Sequence, residues 1–340
     1  MTVAPPDPAI AFSARALGSA LRLHVRLADG SSSAGVAAAE AAWAEVRDEF
    51  DAVDVALSRF RTDSELTMLN RRAGDGSVAV VSRRLRTALA AVHRAGRLTD
   101  GRFDARVLGA LERIGEHGAP LEGGDEAPGR TVPGGEMSDG TEVGAAPRRR
   151  AEPLSRVRVP DAPLDMGGIG KGLALRWAAA RAIAVLPPGA GLLLEAGGDV
   201  VHAGAPPADG WMVGIEDPVA PTGPDGEPLV VVAVRDGAVA TSSIRVRNWI
   251  GPDGRPVHHL LDPSTGEPAR TGLIAVTVAG ADPAWSEVWS KALFLAGRDG
   301  IADEARSGGM AAWWVDDRGR LGMTPDARLR CAWVAEERLG

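Results

Sequence analysis

Residues 118–150 set the first limit on what this chain can fold into. The stretch is crowded with Gly, Pro, Glu and Asp, holds almost no large apolar side chains, and ends in Arg148-Arg149-Arg150. Such a segment cannot bury enough surface to offset the entropy of ordering itself. It reads as a disordered loop insertion, with a functional lid as the alternative. The arginine run reads as a solvated tail rather than a phosphate site. Folded structure must therefore come from the flanks, and at 340 residues and 45% hydrophobic content the chain is long enough for a sizeable core.

Charge and cysteine content narrow the class. The formal net charge is −7, with acidic and basic residues interspersed, which speaks against nucleic acid because such sites need a basic face. The single cysteine, Cys331, excludes an intrachain disulfide. No window is apolar enough to span a bilayer, and the first residues lack a basic, apolar leader. The expectation is a cytoplasmic protein without membrane insertion.

Hydrophobic spacing sketches the elements. Residues 1–14 read as a flexible arm. Residues 21–27 alternate as a half-buried strand. Ala39, Trp43, Val46, Phe50, Val53 and Leu57 recur at helical spacing, and residues 83–99 read as a second helix. After the insertion, 157–159 is a short strand and 173–186 a helix. Strands are expected over 191–201, 211–216, 229–234, 273–278 and 310–315, with a helix over 288–296. Helices and strands mix without strict alternation, so an α+β or mixed α/β fold is expected rather than a Rossmann domain.

Five segments carry candidate chemistry. Asp165-Met166-Gly167-Gly168-Ile169-Gly170-Lys171-Gly172 leads straight into an apolar-periodic helix. Glycines before a helix let an anion approach the first N–H groups, and Lys171 adds a point charge; a tight turn for helix packing is the alternative. Glu195-Ala196-Gly197-Gly198-Asp199 ends a buried strand, as a ligand-facing turn or a plain hairpin. Ala240-Thr241-Ser242-Ser243 is a hydroxyl cluster that satisfies backbone or meets phosphate. His258 and His259 precede the strong turn Asp262-Pro263-Ser264-Thr265-Gly266; adjacent histidines in an extended segment face opposite sides, a poor zinc signal. Glu287 and Lys291 are spaced i, i+4, which on an exposed helix is a weak ion pair.

In this order, and with two further stretches, the segments resemble the FAD:protein FMN transferase family. Ser58-Arg59-Phe60 with Asp63-Ser64-Glu65-Leu66 and Leu69-Asn70 is similar to one family motif, and Thr99-Asp100-Gly101-Arg102-Phe103-Asp104 to another. The resemblance runs from about residue 16 to 297. It implies a two-lobed fold with the FAD site between the lobes, a transferase domain over 15–300, and further strands of that domain over 301–340. It also implies transfer of FMN from FAD to a threonine of an acceptor protein, with release of AMP. Acceptor sequences in the family are of the Asp-Gly-x-Ser/Thr-Gly-Ala-Thr kind. An FAD pyrophosphate hydrolase and a non-catalytic flavin-binding protein are the competing readings.

The resemblance also assigns residues. Ser58, Phe60 and Leu260 fall near the flavin; Asp100, Gly101, Gly198, Asp199 and Ser242 fall at the cofactor. Lys171 falls at the cofactor and in the catalytic set, with His259 as the base. A Mg2+ site is implied at Gly168 and Glu287. Here the sequence departs from the family, which usually carries an aspartate and a threonine where this chain has Glu287 and Lys291. An ammonium at contact distance would repel Mg2+. The sequence therefore suggests that Lys291, paired to Glu287, takes over part of the metal's role. Glu195 and Ser243 also stand where the family often has asparagine and glycine. One of the nine Trp could form a stacking wall for the isoalloxazine.

Overall fold

A computed structural model describes residues 2–4, 9–28, 32–116, 153–219 and 227–340. The insertion expected at 118–150 lies outside them. Among the described residues there are seven α-helices: α1 (Ser33–Leu57), α2 (Glu65–Asn70), α3 (Arg83–Leu98), α4 (Leu108–Arg113), α5 (Gly170–Val185), α6 (Pro283–Ser307) and α7 (Pro325–Arg328).

An eight-stranded sheet forms the middle layer. Its strands run in the order Leu321–Met323, Ala311–Asp316, Leu273–Gly280, Ala238–Ser243, Asp199–Gly204, Gly191–Ala196, Ser19–Arg26 and Ile10–Ala16, and every pairing is antiparallel. The mixed helix and strand content agrees with the sequence expectation, and the antiparallel pairing puts it on the α+β side. One end of the chain differs from expectation. The segment read as a flexible arm contains the edge strand Ile10–Ala16 and the strand Thr2–Ala4, which pairs with Trp211–Glu216. Polar residues alternating with Ile10, Phe12 and Ala14 hid an edge strand, since one face of an edge needs no cover.

Both faces of this sheet are packed, which explains the unbroken leucine run of one inner strand. In Gly191–Ala196, Leu192 and Leu194 point into the core shared with α1 and α5. Leu193 points the other way, into a core shared with the four-stranded sheet Thr2–Ala4, Trp211–Glu216, Pro228–Val234 and Cys331–Val334. All three leucines are fully buried, worth roughly 1.5–3 kcal/mol each. The hairpin at Gly197 and Gly198 then divides what the sequence read as one strand over 191–201; both glycines have positive φ, 57° and 92°. By the same alternation, Asp199, Ala240 and Ser242 face the helical layer.

α1 presents Ala39, Val46, Phe50, Val53 and Leu57 to the core. Trp43 is only half-buried and stacks on Phe12 of the edge strand at 5.7 Å between ring centroids. Glu49, also on the buried face, is bound by Arg84 at 2.6 Å and Arg181 at 2.8 Å, tying α1 to α3 and α5. α6 starts at Asp282, whose carboxylate accepts from the N–H groups of Ala284 and Trp285, with Pro283 at the first helical position. It runs past the expected end at 296, through a break at Gly297 (φ 75°), to Ser307.

α5 and α6 meet at their first turns, and Gly172 sets the distance. A Cβ on Gly172 would lie 2.4 Å from Ala284 Cα, inside the backbone of α6. This glycine is there for helix packing. Gly172→Ala is expected to destabilise the protein by about 1–3 kcal/mol, read as a lower midpoint in urea unfolding with an unchanged denaturant slope.

Candidate active site

The site grows from one buried carboxylate. Glu287 sits on the first turns of α6 and is 5% exposed. Its Oε2 accepts from the Gly172 N–H of α5 at 2.8 Å, and its Oε1 lies 3.6 Å from Lys171 Nζ. α5 has no side-chain cap of its own, so Glu287 supplies one from a neighbouring helix, where a negative charge is favoured. The sequence reading of an exposed Glu287–Lys291 pair is thereby corrected. The helix contact at Gly172 draws Glu287 inward, and its cationic partner is Lys171.

Lys171 also pairs with Asp199 Oδ2 across the sheet. Asp199 is 2% exposed, and its Oδ1 accepts from the Thr241 N–H at 2.9 Å. Burial alone would lower the Lys171 pKa, but the charges of Asp199 and Glu287 outweigh it and raise the group above its ordinary value. Burial pushes Glu287 up, opposed by Lys171 and the Gly172 N–H. Three N–H groups at the α5 terminus are filled from within. Gly170 N–H goes to Met166 O at 2.7 Å, Leu173 N–H to Ile169 O at 3.0 Å, and Gly172 N–H to Glu287. The helix-packing alternative describes Gly172, whose N–H is taken by Glu287.

Behind Glu287, Ser290 donates to the Glu287 carbonyl at 2.9 Å and exchanges a 2.8 Å hydrogen bond with Ser242. Ser242 is 7% exposed. Its hydroxyl braces α6 against the sheet, so its expected contact with cofactor is not what its side chain makes.

A second charged group faces the first. Arg59, just after α1, holds Asp165 with Nε at 3.1 Å and Glu116 with Nη2 at 3.2 Å. Glu116 also pairs with Arg247. The small cluster of Ala110, Leu111, Ile114 and Leu261 around Trp249 carries Glu116 to this position, and Trp249 donates to Ile114 O at 2.7 Å. Burial and the like charge of Arg59 bring Arg247 down to about 10, so it stays a cation at neutral pH. Arg59, Phe60, Thr67, Asn70, Leu108 and Glu116 border an open cleft of about 380 Å³. Phe60 is exposed, with the Arg59 guanidinium 4.2 Å from its ring centre.

His259 lies between the two groups. Its Nδ1 is 3.2 Å from the Arg247 carbonyl. A carbonyl only accepts, so Nδ1 carries the proton and Nε2 keeps its lone pair. Burial, then the charges of Arg247 and Lys291, push His259 well below the ordinary histidine value. It is a neutral imidazole at pH 7 with one nitrogen free to act as a base.

Lys291, one turn after Glu287, has no hydrogen-bond or ion-pair partner among the described residues. It lies over Gly168. A Cβ there would sit 2.7 Å from Lys291 Cε and 2.9 Å from Phe103 Cε2. Gly168 is thus the gap that admits the lysine. These residues do not fit a Mg2+ ion: both Glu287 oxygens face internal partners, and an ammonium lies over Gly168. Among the described residues no group of three His, Cys, Asp or Glu could hold a metal.

The remaining expected residues divide. Ser58 closes α1 and accepts from the Phe60 N–H at 3.3 Å, holding Arg59 and Phe60 in place. Gly198 is the turn that leads Asp199 to Lys171. Asp100 and Gly101 are exposed, in left-handed backbone with φ 49° and 81°. From this motif it is Phe103 that reaches Gly168. Leu260 is 1% exposed and packs with Leu293 and Phe294, so its side chain does not reach the cleft. Arg59 and Asp165 were inside quoted motifs but not singled out as site residues. Arg247 and Glu116 carried no spacing signal, because they meet only through tertiary packing.

The α+β fold thus gathers arginines, lysines and a neutral histidine from distant parts of the chain into one electrostatically linked group. The ApbE family matches residues 17–314, and the chain belongs to that family. A relative from Klebsiella pneumoniae, an FAD:protein FMN transferase, is 25% identical over 332 residues, covering 95% of this chain and 90% of the relative. A Treponema pallidum protein of the same name is 30% identical over 265 residues, covering 72% and 68%. Among solved structures, an ApbE protein from Thermotoga maritima superposes with a TM-score of 0.73 at 25% identity, over 95% of this chain and 99% of that one. The apo flavinyl transferase ApbE of Pseudomonas stutzeri, at 23% identity and a TM-score of 0.70 over 95% and 96% of the two chains, shares the fold.

Two outcomes follow for stability. Replacing Lys171 by Met leaves two buried carboxylates without their cation and is expected to cost about 3 kcal/mol, measured by urea unfolding at neutral pH. Burial also lowers His24 and His258, Arg22 adding to the effect at His24. With His259, three histidines then bind protons more weakly folded than unfolded. Their neutral-state stability is complete above about pH 6.5 and is lost as pH falls below it, because the unfolded chain takes up the protons. Thermal midpoints should fall between neutral and mildly acidic pH, less steeply in His259→Gln.

Proposed function

We propose that this chain moves FMN from FAD to a threonine hydroxyl of an acceptor protein and releases AMP. The observation that carries it is the neutral His259 held beside Arg247 and Lys291 within a chain of the ApbE family. Relatives named FAD:protein FMN transferase support the same reading.

The chemistry follows from these groups. The threonine oxygen bonds to the FMN phosphorus, the bridging P–O bond to AMP breaks, and AMP leaves with that electron pair. His259 Nε2 accepts the hydroxyl proton as the new bond forms, and its Nδ1–H, held on the Arg247 carbonyl, fixes the ring. Phosphoryl transfer depends on positioning and on charge placed where the transition state needs it. Arg247 and Lys291 are placed to supply that charge. Arg59 and Phe60, at the open cleft, offer a cation and an aromatic face to a flat ring system.

The test incubates the protein with FAD and an acceptor carrying the Asp-Gly-x-Ser/Thr-Gly-Ala-Thr sequence. Flavin fluorescence on the denatured acceptor is expected, and His259→Ala should reduce its rate by roughly 10²–10⁴-fold with FAD still bound. Free FMN and AMP without labelled acceptor would indicate a hydrolase instead. Bound, uncleaved FAD would indicate a carrier.

A further inference from the structure

Four cations belong to the two charged groups, and among the described residues one of these four has no internal partner. Lys171 is held by Asp199 and Glu287, Arg59 by Asp165 and Glu116, and Arg247 by Glu116. Lys291 is partly buried and makes no hydrogen bond or ion pair among the described residues; the carboxylates of Glu287 and Asp165 act on its charge from a distance, opposed by Arg247 and Lys171. A cation held away from water without a carboxylate in contact is costly, because distant charges only partly offset its lost hydration. The end of its four-carbon stem lies over Gly168, whose missing side chain leaves the room it occupies. The ammonium thus has a contact position left for an anionic ligand.

Resting on the transferase reading above, we propose that the Lys291 ammonium takes the place of a divalent cation on the FAD pyrophosphate, so that transfer by this chain needs no metal. The donor set agrees. A divalent ion beside Gly168 would meet an ammonium in contact, and the nearby carboxylates are already engaged: Asp165 by Gly167 N–H and Arg59, and Glu287 by Gly172 N–H and Lys171. Lys171 thereby holds the carboxylate in place and leaves Lys291 to the substrate. The pair divides the labour that one ion bound to a carboxylate would perform: Lys171 neutralises Glu287, and Lys291 neutralises phosphate oxygen. No bond is made to Lys291; it stabilises the charge that grows on the non-bridging oxygens as the P–O bond to AMP breaks.

The test uses the full chain with FAD and the motif-bearing acceptor, in excess chelator and in excess Mg2+. Equal rates within about two-fold support the inference. Abolition by chelator with restoration by Mg2+ overturns it while leaving the transferase reading intact. Lys291→Met should lower the chelator-insensitive rate by roughly 10²-fold, and Lys291→Arg should retain much of it. A second readout does not depend on turnover. In chelator, Lys291→Met should weaken FAD binding at least ten-fold and leave riboflavin, which has no phosphate, within two-fold; equal losses for both ligands, or none, overturn the inference. If FAD binds but no acceptor is labelled, the transferase reading fails, and the FAD-to-riboflavin comparison still decides the role of Lys291.

Discussion

Everything at the cleft depends on the buried Glu287 carboxylate. It closes the uncapped end of α5 and neutralises Lys171, while the backbone carbonyl of the same residue is fastened through the Ser290 and Ser242 hydroxyls to the eight-stranded sheet. A carboxylate 5% exposed is tolerable only because each oxygen has a donor or a cation facing it. Those partners lie on different elements, so the ion cluster locks the relative positions of α5, α6 and the Asp199 strand. Lys291, one turn along α6, inherits its place from that lock. A shift of α6 would move Lys291 from Gly168 and Glu287 from Gly172 together.

The sheet contributes direction. Because it is covered on both faces, strand alternation decides which residues enter the helical layer, and Asp199 and Ser242 are on that side by register. The hairpin at Gly197 and Gly198 starts the strand at Asp199, so its carboxylate is delivered at the sheet end opposite the first turn of α5. Local turn chemistry thus becomes active-site geometry through the pleat.

Much of this was legible in the sequence, and the limits are physical. Helical periodicity located α1, α3 and α5 to within a few residues, and apolar runs located the central strands, because burial on one or two faces leaves a regular imprint. Ile10–Ala16 was missed because its exposed face left a polar alternation resembling a solvated arm. The motifs marked Lys171, Glu287 and His259 as site candidates, but spacing along one helix suggested the wrong partner for Glu287. Its true partners come from α5, and only a glycine-mediated approach of two helices brings them near. Arg247 and Glu116 were invisible for the same reason: a pair separated by 131 residues leaves no local pattern.

The four-stranded sheet draws its members from distant parts of the chain. Thr2–Ala4 lies at one edge, Cys331–Val334 at the other, with Trp211–Glu216 and Pro228–Val234 between them. Contacts of such sequence separation are slow to form, because loop closure must precede any gain from pairing. On the ribosome, the layer that covers Leu193 and Val239 cannot be completed until Cys331–Val334 has emerged. The nascent chain must therefore carry the covering layer with one edge strand missing until its last residues are made.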